Sequence, residues 1–214
     1  MKSDPRIIDL CAGFGGASEA FLRAGYDVMR VENNPLLCHG DSEHYVPNTW
    51  KFDLRSDLEG ASLIHMHYWD EADLIWASPP CLEFSFGFNA PGPTAKREGR
   101  DFEPDMTILR NVIKIIKAKK PKYWVIENVK GASKRFCKEL GVNAPRQIIG
   151  PYYLWGNFPY ISMPRSWEHI GGKTQDWNIG DPLRANKRAI IPLEVSQALL
   201  DSMREQKQIT EWIQ

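Results

Sequence analysis

Long apolar runs, paired cysteines, metal-ligand clusters and net charge are all missing from this sequence. No window reaches the roughly 18 apolar residues that a membrane-spanning helix needs. Met1-Lys2-Ser3-Asp4-Pro5 leads straight into strand-like sequence without a signal-peptide core, so no membrane association is expected. The four cysteines (11, 38, 81 and 137) form no CxxC pair, which argues against a disulfide framework and for a reducing compartment. Among the five histidines, His65 and His67 flank Met66, and Cys38-His39 precedes His44. No second pair completes a tetrahedral set, so no metal is expected.

The zero net charge hides an asymmetry. Residues 1–90 hold 6 Lys+Arg against 14 Asp+Glu, a net of −8, and residues 91–214 hold 21 against 13, a net of +8. An acidic half suits a cationic small ligand and a basic half a polyanion. Clustered solvated charge is the plainer alternative. At 214 residues with 43% hydrophobic content, the chain can bury a full core, and a single domain over 1–214 is the expectation.

The richest stretch is Ala77-Ser78-Pro79-Pro80-Cys81-Leu82-Glu83-Phe84-Ser85. The apolar run Leu74-Ile75-Trp76-Ala77 reads as a buried strand that ends at two prolines, neither of which can donate to a ladder. A thiol on a stiff elbow at a strand's C-terminal end sits where open α/β sheets bind ligands. A buried structural cysteine is the competing reading.

Upstream, Arg6–Leu10 reads as a strand that opens into Cys11-Ala12-Gly13-Phe14-Gly15-Gly16-Ala17-Ser18 and then a helix ending at Gly25. Glycines admit a ligand close to the backbone, and the helix N-terminus offers unpaired N–H groups. The spacing is not the dinucleotide fingerprint. No Lys or Arg lies in the turn, which counts against a di- or triphosphate. A second strand, Tyr26–Val31, ends in Glu32-Asn33-Asn34. An acid there, about 20 residues past the turn, can bind ribose hydroxyls. Leu36 to Tyr45 reads as helix, and Trp50–Leu54 as a third strand with Asp53 near its end. Asp53 can accept from an adenine amine or cap a helix. Acids and amides at successive strand ends point to one rim holding a nucleoside without phosphates.

Residues 86–104 read as a long lid-like loop bearing Lys96, Arg97 and Arg100, which suits a nucleic acid. A helix with Leu109, Val112, Ile113 and Ile116 on one stripe follows. Tyr123–Ile126 is another buried strand, ending in Glu127-Asn128-Val129. Burial there would raise the Glu127 pKa and make it a proton donor, though a capping carboxylate is an equal alternative. Gln147–Gly150 and Tyr152–Phe158 read as a terminal hairpin, 162–187 carries no clear periodicity, and Pro192 opens a helix over Leu193–Gln206. A thiol and an acid in one cleft suit activation of an unreactive ring by nucleophilic addition.

These motifs, in this order, resemble those of the cytosine-C5 DNA methyltransferases. Asp9 to Gly16 resembles the family's cofactor motif, Ser78-Pro79-Pro80-Cys81-x-x-Phe84-Ser85 its nucleophile motif, and Glu127-Asn128-Val129 its Glu-Asn-Val motif. The resemblance implies an α/β, Rossmann-like class I S-adenosylmethionine-dependent fold, mostly parallel with an antiparallel terminal hairpin. It implies Cys81 as the nucleophile at cytosine C6, Glu127 on N3 and the exocyclic amine, and Asn128 bracing the elbow. It also implies that Cys11, Ala12, Gly13, Phe14, Gly15, Gly16, Glu32, Asn33, Asp53, Leu54 and Pro80 line the S-adenosylmethionine site. Ser85, Lys96, Arg97, Arg100 and Arg146 would meet double-stranded DNA with its cytosine flipped out. Ile190-Ile191-Pro192 resembles the last motif, which completes the cofactor pocket.

The departures are Cys11 in place of Phe, Asn33 in place of an aromatic, and Leu82 in place of Gln. The Gln-x-Arg-x-Arg motif is missing, with Arg146 the weak stand-in. Only 162–187 remains for target recognition, a region far longer in the family, which implies an accessory protein or an oligomer to help choose the site. A compact restriction-modification or phage enzyme in a bacterial or phage-infected cytoplasm is the expectation. The alternatives are a tRNA or free-nucleotide cytosine as substrate, or a non-catalytic cofactor-binding regulator.

Overall fold

Strand β1 (Arg6–Leu10) is buried along Ile7–Leu10 and ends where Cys11 turns left-handed at φ +57°. The computed structural model describes residues 5–56, 70, 72–168 and 180–213. His65 and His67 therefore lie outside the described residues, as do 169–179 of the segment read as recognition region. Two compact units form, one of residues 1–52 with 158–214, the other of residues 53–157.

In the first unit, β1 pairs in parallel with β2 (Asp27–Glu32), and β2 in parallel with β3 (Thr49–Lys51). Helix α1 (Glu19–Arg23) follows the glycine turn and packs on α7 (Leu193–Ile213), where the buried Ser196 Oγ accepts from the Ala20 N–H at 3.3 Å. Helix α2 is only Pro35–Cys38, with Asn34 Oδ1 accepting from the Leu36 N–H. The longer helix expected over Leu36–Tyr45 gives way to turns at His39–Tyr45, because Ser42 and Gly40 favour local turn bonds over continued helix. Helix α6 (Arg184–Arg188) overlaps the end of the stretch 162–187 that shows no periodicity.

In the second unit, β4 (Ala72–Ala77) and β5 (Tyr123–Asn128) pair in parallel, and β7 (Tyr152–Asn157) runs antiparallel to β5 and to β6 (Gln147–Ile149). The terminal hairpin and the mostly parallel ladders match the expectation. Helix α3 (Pro91–Arg97) occupies part of what reads as loop. Its prolines sit in the first turn, where no N–H is needed, so they start a helix rather than break one. Helix α4 (Thr107–Lys119) begins where Asp105 Oδ1 accepts from the Thr107 N–H at 2.8 Å and ends at Lys120, left-handed at φ +48°. It buries Ile108, Leu109, Val112, Ile115 and Ile116, while Ile113 of the expected stripe is only half-buried. Helix α5 (Ser133–Leu140) lies outside the expected elements, although Phe136, Cys137 and Leu140 share one of its faces. No described helix is long and apolar enough to cross a membrane.

Candidate active site

The glycine turn of the first unit is bound to the end of β2. Glu32 Oε2 accepts from the Gly13 N–H at 2.8 Å, and Oε1 accepts from the N–H groups of Asn33 and Asn34 at 2.9 and 3.0 Å. The acid expected to meet a ribose therefore also sets the shape of the turn. Gly13 and Gly15 take φ of +53° and +75°, which favours glycine. At Gly16 the reason is space: a Cβ would lie 2.2 Å from the Ile191 carbonyl oxygen. The Ile190–Pro192 segment thus reaches the turn. Phe14 is half-buried against the Leu37, Val46 and Leu183 cluster, and Asn33 is exposed.

Beneath the turn lies a buried polar cluster with no counterpart among the expected site residues. Arg30, almost fully buried, donates to Ser18 Oγ at 2.9 Å, to the Gly15 and Pro47 carbonyls at 3.2 Å, and to Glu19 at 3.0 Å. Ser18 in turn donates to Asp9 Oδ2 at 2.7 Å. Burial pushes the Asp9 carboxyl up to about 6, against the lowering pull of Ser18 and Arg30. Asn186 of α6 was also unforeseen. Its Oδ1 accepts from Asn34 Nδ2 at 3.2 Å, and its Nδ2 would lie 3.7 Å from a Cβ at Gly13. It comes from a segment without periodicity, so only the folded chain reveals it.

A turn with glycine conformations, backed by a carboxylate and carrying no cationic side chain, fits a nucleoside cofactor that bears positive rather than phosphate charge. S-Adenosylmethionine has that character.

In the second unit, β4 and β5 end side by side. Asn128, fully buried, donates through Nδ2 to the Pro79 carbonyl at 2.8 Å. That bond ties the end of β5 to the two-proline elbow carrying Cys81. Pro79 is buried and Pro80 exposed, while Cys81 is half-buried and caps a short 3₁₀ turn over Leu82–Phe84. The Phe84 N–H donates to the Cys81 carbonyl at 3.0 Å, and the Phe84 ring packs edge-on against Phe136 at 5.2 Å. Gly131 lies under this loop: a Cβ there would be 1.8 Å from the Phe84 carbonyl oxygen. Glu127 is buried, and burial lifts its carboxyl to about 7, against the lowering pull of the Ser78 hydroxyl.

The remaining expected residues divide. Ser85 Oγ accepts from the Gly87 N–H at 3.0 Å and so shapes its own loop. Arg97 donates to the Phe88 carbonyl at 2.6 Å and stacks 3.8 Å from that ring's centroid. Arg100 pairs with Glu98. Lys96 and Arg146 are exposed. Asp53 Oδ1 accepts from the Arg55 N–H at 2.9 Å, a bond that shapes a turn where adenine binding or a helix cap is expected, and no helix begins at 54–56. Leu54 is buried, and its carbonyl accepts from Asn111 Nδ2 at 2.7 Å. Leu82 and Phe86 are exposed. Among the described residues no group of three His, Cys, Asp or Glu side chains could hold a metal ion.

The mostly parallel ladders, the glycine turn after β1 and the motifs at the ends of β4 and β5 point to one family. Residues 5–140 match the family described as C-5 cytosine-specific DNA methylase, and the chain belongs to that family. It is 29% identical over 126 residues to the type II methyltransferase M1.HphI of Haemophilus parahaemolyticus, covering 57% of this chain and 32% of the relative. It is 28% identical over 174 residues to the probable DNA (cytosine-5)-methyltransferase of Frog virus 3, covering 78% and 72%. The match to M.XorII of Xanthomonas oryzae, 29% over 143 residues, covers 64% of this chain and 32% of that protein. The chain thus spans about a third of M1.HphI and M.XorII. Among solved structures, the Entamoeba histolytica methyltransferase EhMeth is similar at a TM-score of 0.49 and 16% identity, covering 76% of this chain and 56% of that one.

Proposed function

We propose that the protein transfers a methyl group from S-adenosylmethionine to C5 of cytosine in DNA through a covalent adduct between Cys81 and C6. The observation that carries this is the 2.8 Å bond from Asn128 to the Pro79 carbonyl, which ties the strand end bearing Glu127 to the elbow bearing Cys81.

When bound, S-adenosylmethionine supplies an electrophilic methyl. The protein's own groups make the ring nucleophilic. The Cys81 thiolate adds to C6 while protonated Glu127 donates to N3, and its other oxygen accepts from the exocyclic amine. C5 then carries electron density and takes the methyl. The methyl donor leaves as S-adenosylhomocysteine, and return of the N3 proton to Glu127, loss of the C5 proton to a base and departure of the Cys81 sulfur restore the ring. A carboxyl near 7 suits the donor role, because it is partly protonated at neutral pH without a charged partner. The cytosine must leave its stack to reach Cys81.

Glu32, Asn33 and the turn from Cys11 to Gly16 are assigned to the cofactor, with Asn186 beside them. Asp53, Leu54 and Pro80 are assigned to it by resemblance. Ser85, Lys96, Arg97, Arg100 and Arg146 are assigned to duplex DNA. A segment 162–187 this short suits target choice shared with an accessory protein or a second copy. The four cysteines, none of them in a disulfide among the described residues, suit a reducing bacterial or phage-infected cytoplasm.

DNA carrying 5-fluorocytosine should trap a covalent adduct in the presence of S-adenosylmethionine, visible as a band stable to denaturation. Cys81→Ser should abolish it. A wild-type protein that gives no adduct on DNA, or gives one only on tRNA, overturns the reading.

A further inference from the structure

Arg30 stands in the middle of β2, and its side chain is only 1% exposed. A guanidinium keeps its charge in a protein, so burying one is costly unless its N–H groups meet acceptors. Here they do. Nε donates to Ser18 Oγ at 2.9 Å and Nη1 to the Pro47 carbonyl at 3.2 Å. Nη2 donates both to the Gly15 carbonyl at 3.2 Å and to Glu19 Oε2 at 3.0 Å. Side chains two apart on a strand share a face, so Arg30 leaves β2 on the same side as Glu32. The two grip one turn at two points by opposite chemistry. Glu32 Oε2 accepts from the Gly13 N–H at 2.8 Å, and Arg30 donates to the Gly15 carbonyl. That carbonyl also accepts from the Ser18 N–H at 3.2 Å, the bond that closes the turn ahead of α1. The fit is close: a Cβ on Gly15 would lie 2.3 Å from Arg30 Nε.

We propose that Arg30 is a positioning residue for S-adenosylmethionine, clamping the glycine turn together with Glu32 into its binding shape before the cofactor arrives. The inference rests on the assignment of the turn to the cofactor given under Proposed function. Glycines at φ +53° and +75° leave the turn free to take other shapes. A site that is competent for only part of the time binds more weakly by that fraction. Bonds to an N–H at one glycine and a carbonyl at the next remove the freedom. Arginine suits the role and lysine does not, because one planar fork meets a hydroxyl, two carbonyls and a carboxylate at once. Charge fits as well. Glu19 and, through Ser18 Oγ, Asp9 stand as two carboxyls against one guanidinium. The support beneath the turn therefore carries no excess positive charge to repel a sulfonium.

Calorimetry of S-adenosylmethionine binding tests this, with amide hydrogen exchange of the cofactor-free protein by NMR as a second readout. Arg30→Lys keeps the charge and loses the fork. It should weaken cofactor binding at least about tenfold and speed exchange at the Ser18 N–H. Affinity for a DNA duplex, measured without cofactor, should stay within about twofold of wild type. Ser18→Ala removes one of the four acceptors and should move cofactor affinity the same way by less. Arg23→Met is the control, since the exposed Arg23 donates to the same Glu19 at 2.8 Å one turn along α1. Its cofactor affinity should match wild type. A folded Arg30→Lys that binds cofactor as wild type does overturns the proposal, and if that variant does not fold, Ser18→Ala at wild-type affinity overturns it. Loss of duplex affinity by the same factor as cofactor affinity also overturns it, because a merely structural role weakens both. If wild type itself binds no S-adenosylmethionine, the assignment of the turn falls and the positioning role with it. Wild-type binding with unaltered variants sinks the positioning role alone.

Discussion

Glu127 holds its proton to about pH 7 because it is buried beside uncharged groups, with only Ser78 favouring its charged form. The same burial has a stability consequence whose sign is fixed. In the unfolded chain the carboxyl loses its proton near its ordinary value of 4.5, and in the folded chain near 7. Between those values the native state binds more protons than the unfolded state, so stability falls as pH rises through the window. The full difference is about 3 kcal/mol, present below pH 4.5 and lost above 7. Glu127→Gln should remove it. Melting temperatures compared at pH 5 and pH 8 should show the variant gaining on wild type at the higher pH. A gap that does not change with pH would refute the burial argument. Asp9 titrates in an overlapping window, but it is common to both proteins and drops out of the comparison.

At the scale of elements, the elbow depends on one glycine in the 3₁₀ turn after β5. Gly131 lies so close under the loop that a methyl would sit 1.8 Å from the Phe84 carbonyl oxygen. Backbone on both sides leaves no flexible side chain to yield. Gly131→Ala should cost about 1–3 kcal/mol through overpacking and cut the rate of adduct formation at least tenfold. Gly40→Ala, with nothing within 4 Å of its Cβ, should leave both the melting temperature and the rate near wild type. Equal behaviour of the two variants would mean the loop moves aside freely. The helices show why element boundaries were only partly legible. Trp76 to Pro80 and Glu127 to Val129 announce themselves locally, as a strand stopped by prolines and a strand ended by an acid. Helix α3 hides behind three proline and glycine residues, and α5 behind its shortness. Amphipathic periodicity needs several turns to register, and these helices have only 7 and 8 residues.

For the whole molecule, the net of +8 over residues 91–214 against −8 over residues 1–90 predicts an ionic-strength signature. Affinity for a DNA duplex should fall on a log–log plot against salt, with a slope of about −0.9 per phosphate contacted, while affinity for S-adenosylmethionine changes little. Fluorescence anisotropy and calorimetry across a salt series would measure both. A flat DNA response would remove the basic half from the interface.

The sequence by itself determined the strands β1, β2, β4 and β5, the terminal hairpin, the glycine turn, and the motifs around Cys81 and Glu127. Each is written in consecutive residues whose dihedral limits and burial preferences act locally. Tertiary structure alone decided what those motifs lean on. Asn34 reaches Asn186 across 152 residues of chain, Asn128 reaches Pro79 across 49, and Arg30 props up Gly15 from the next strand. Such contacts leave no periodicity to read, since a hydrogen bond between distant residues depends on where the folded backbone brings them. The two-proline elbow was therefore visible as a place where chemistry could happen. The neighbours that hold its thiol and tune its acid became visible only when the strands were laid side by side.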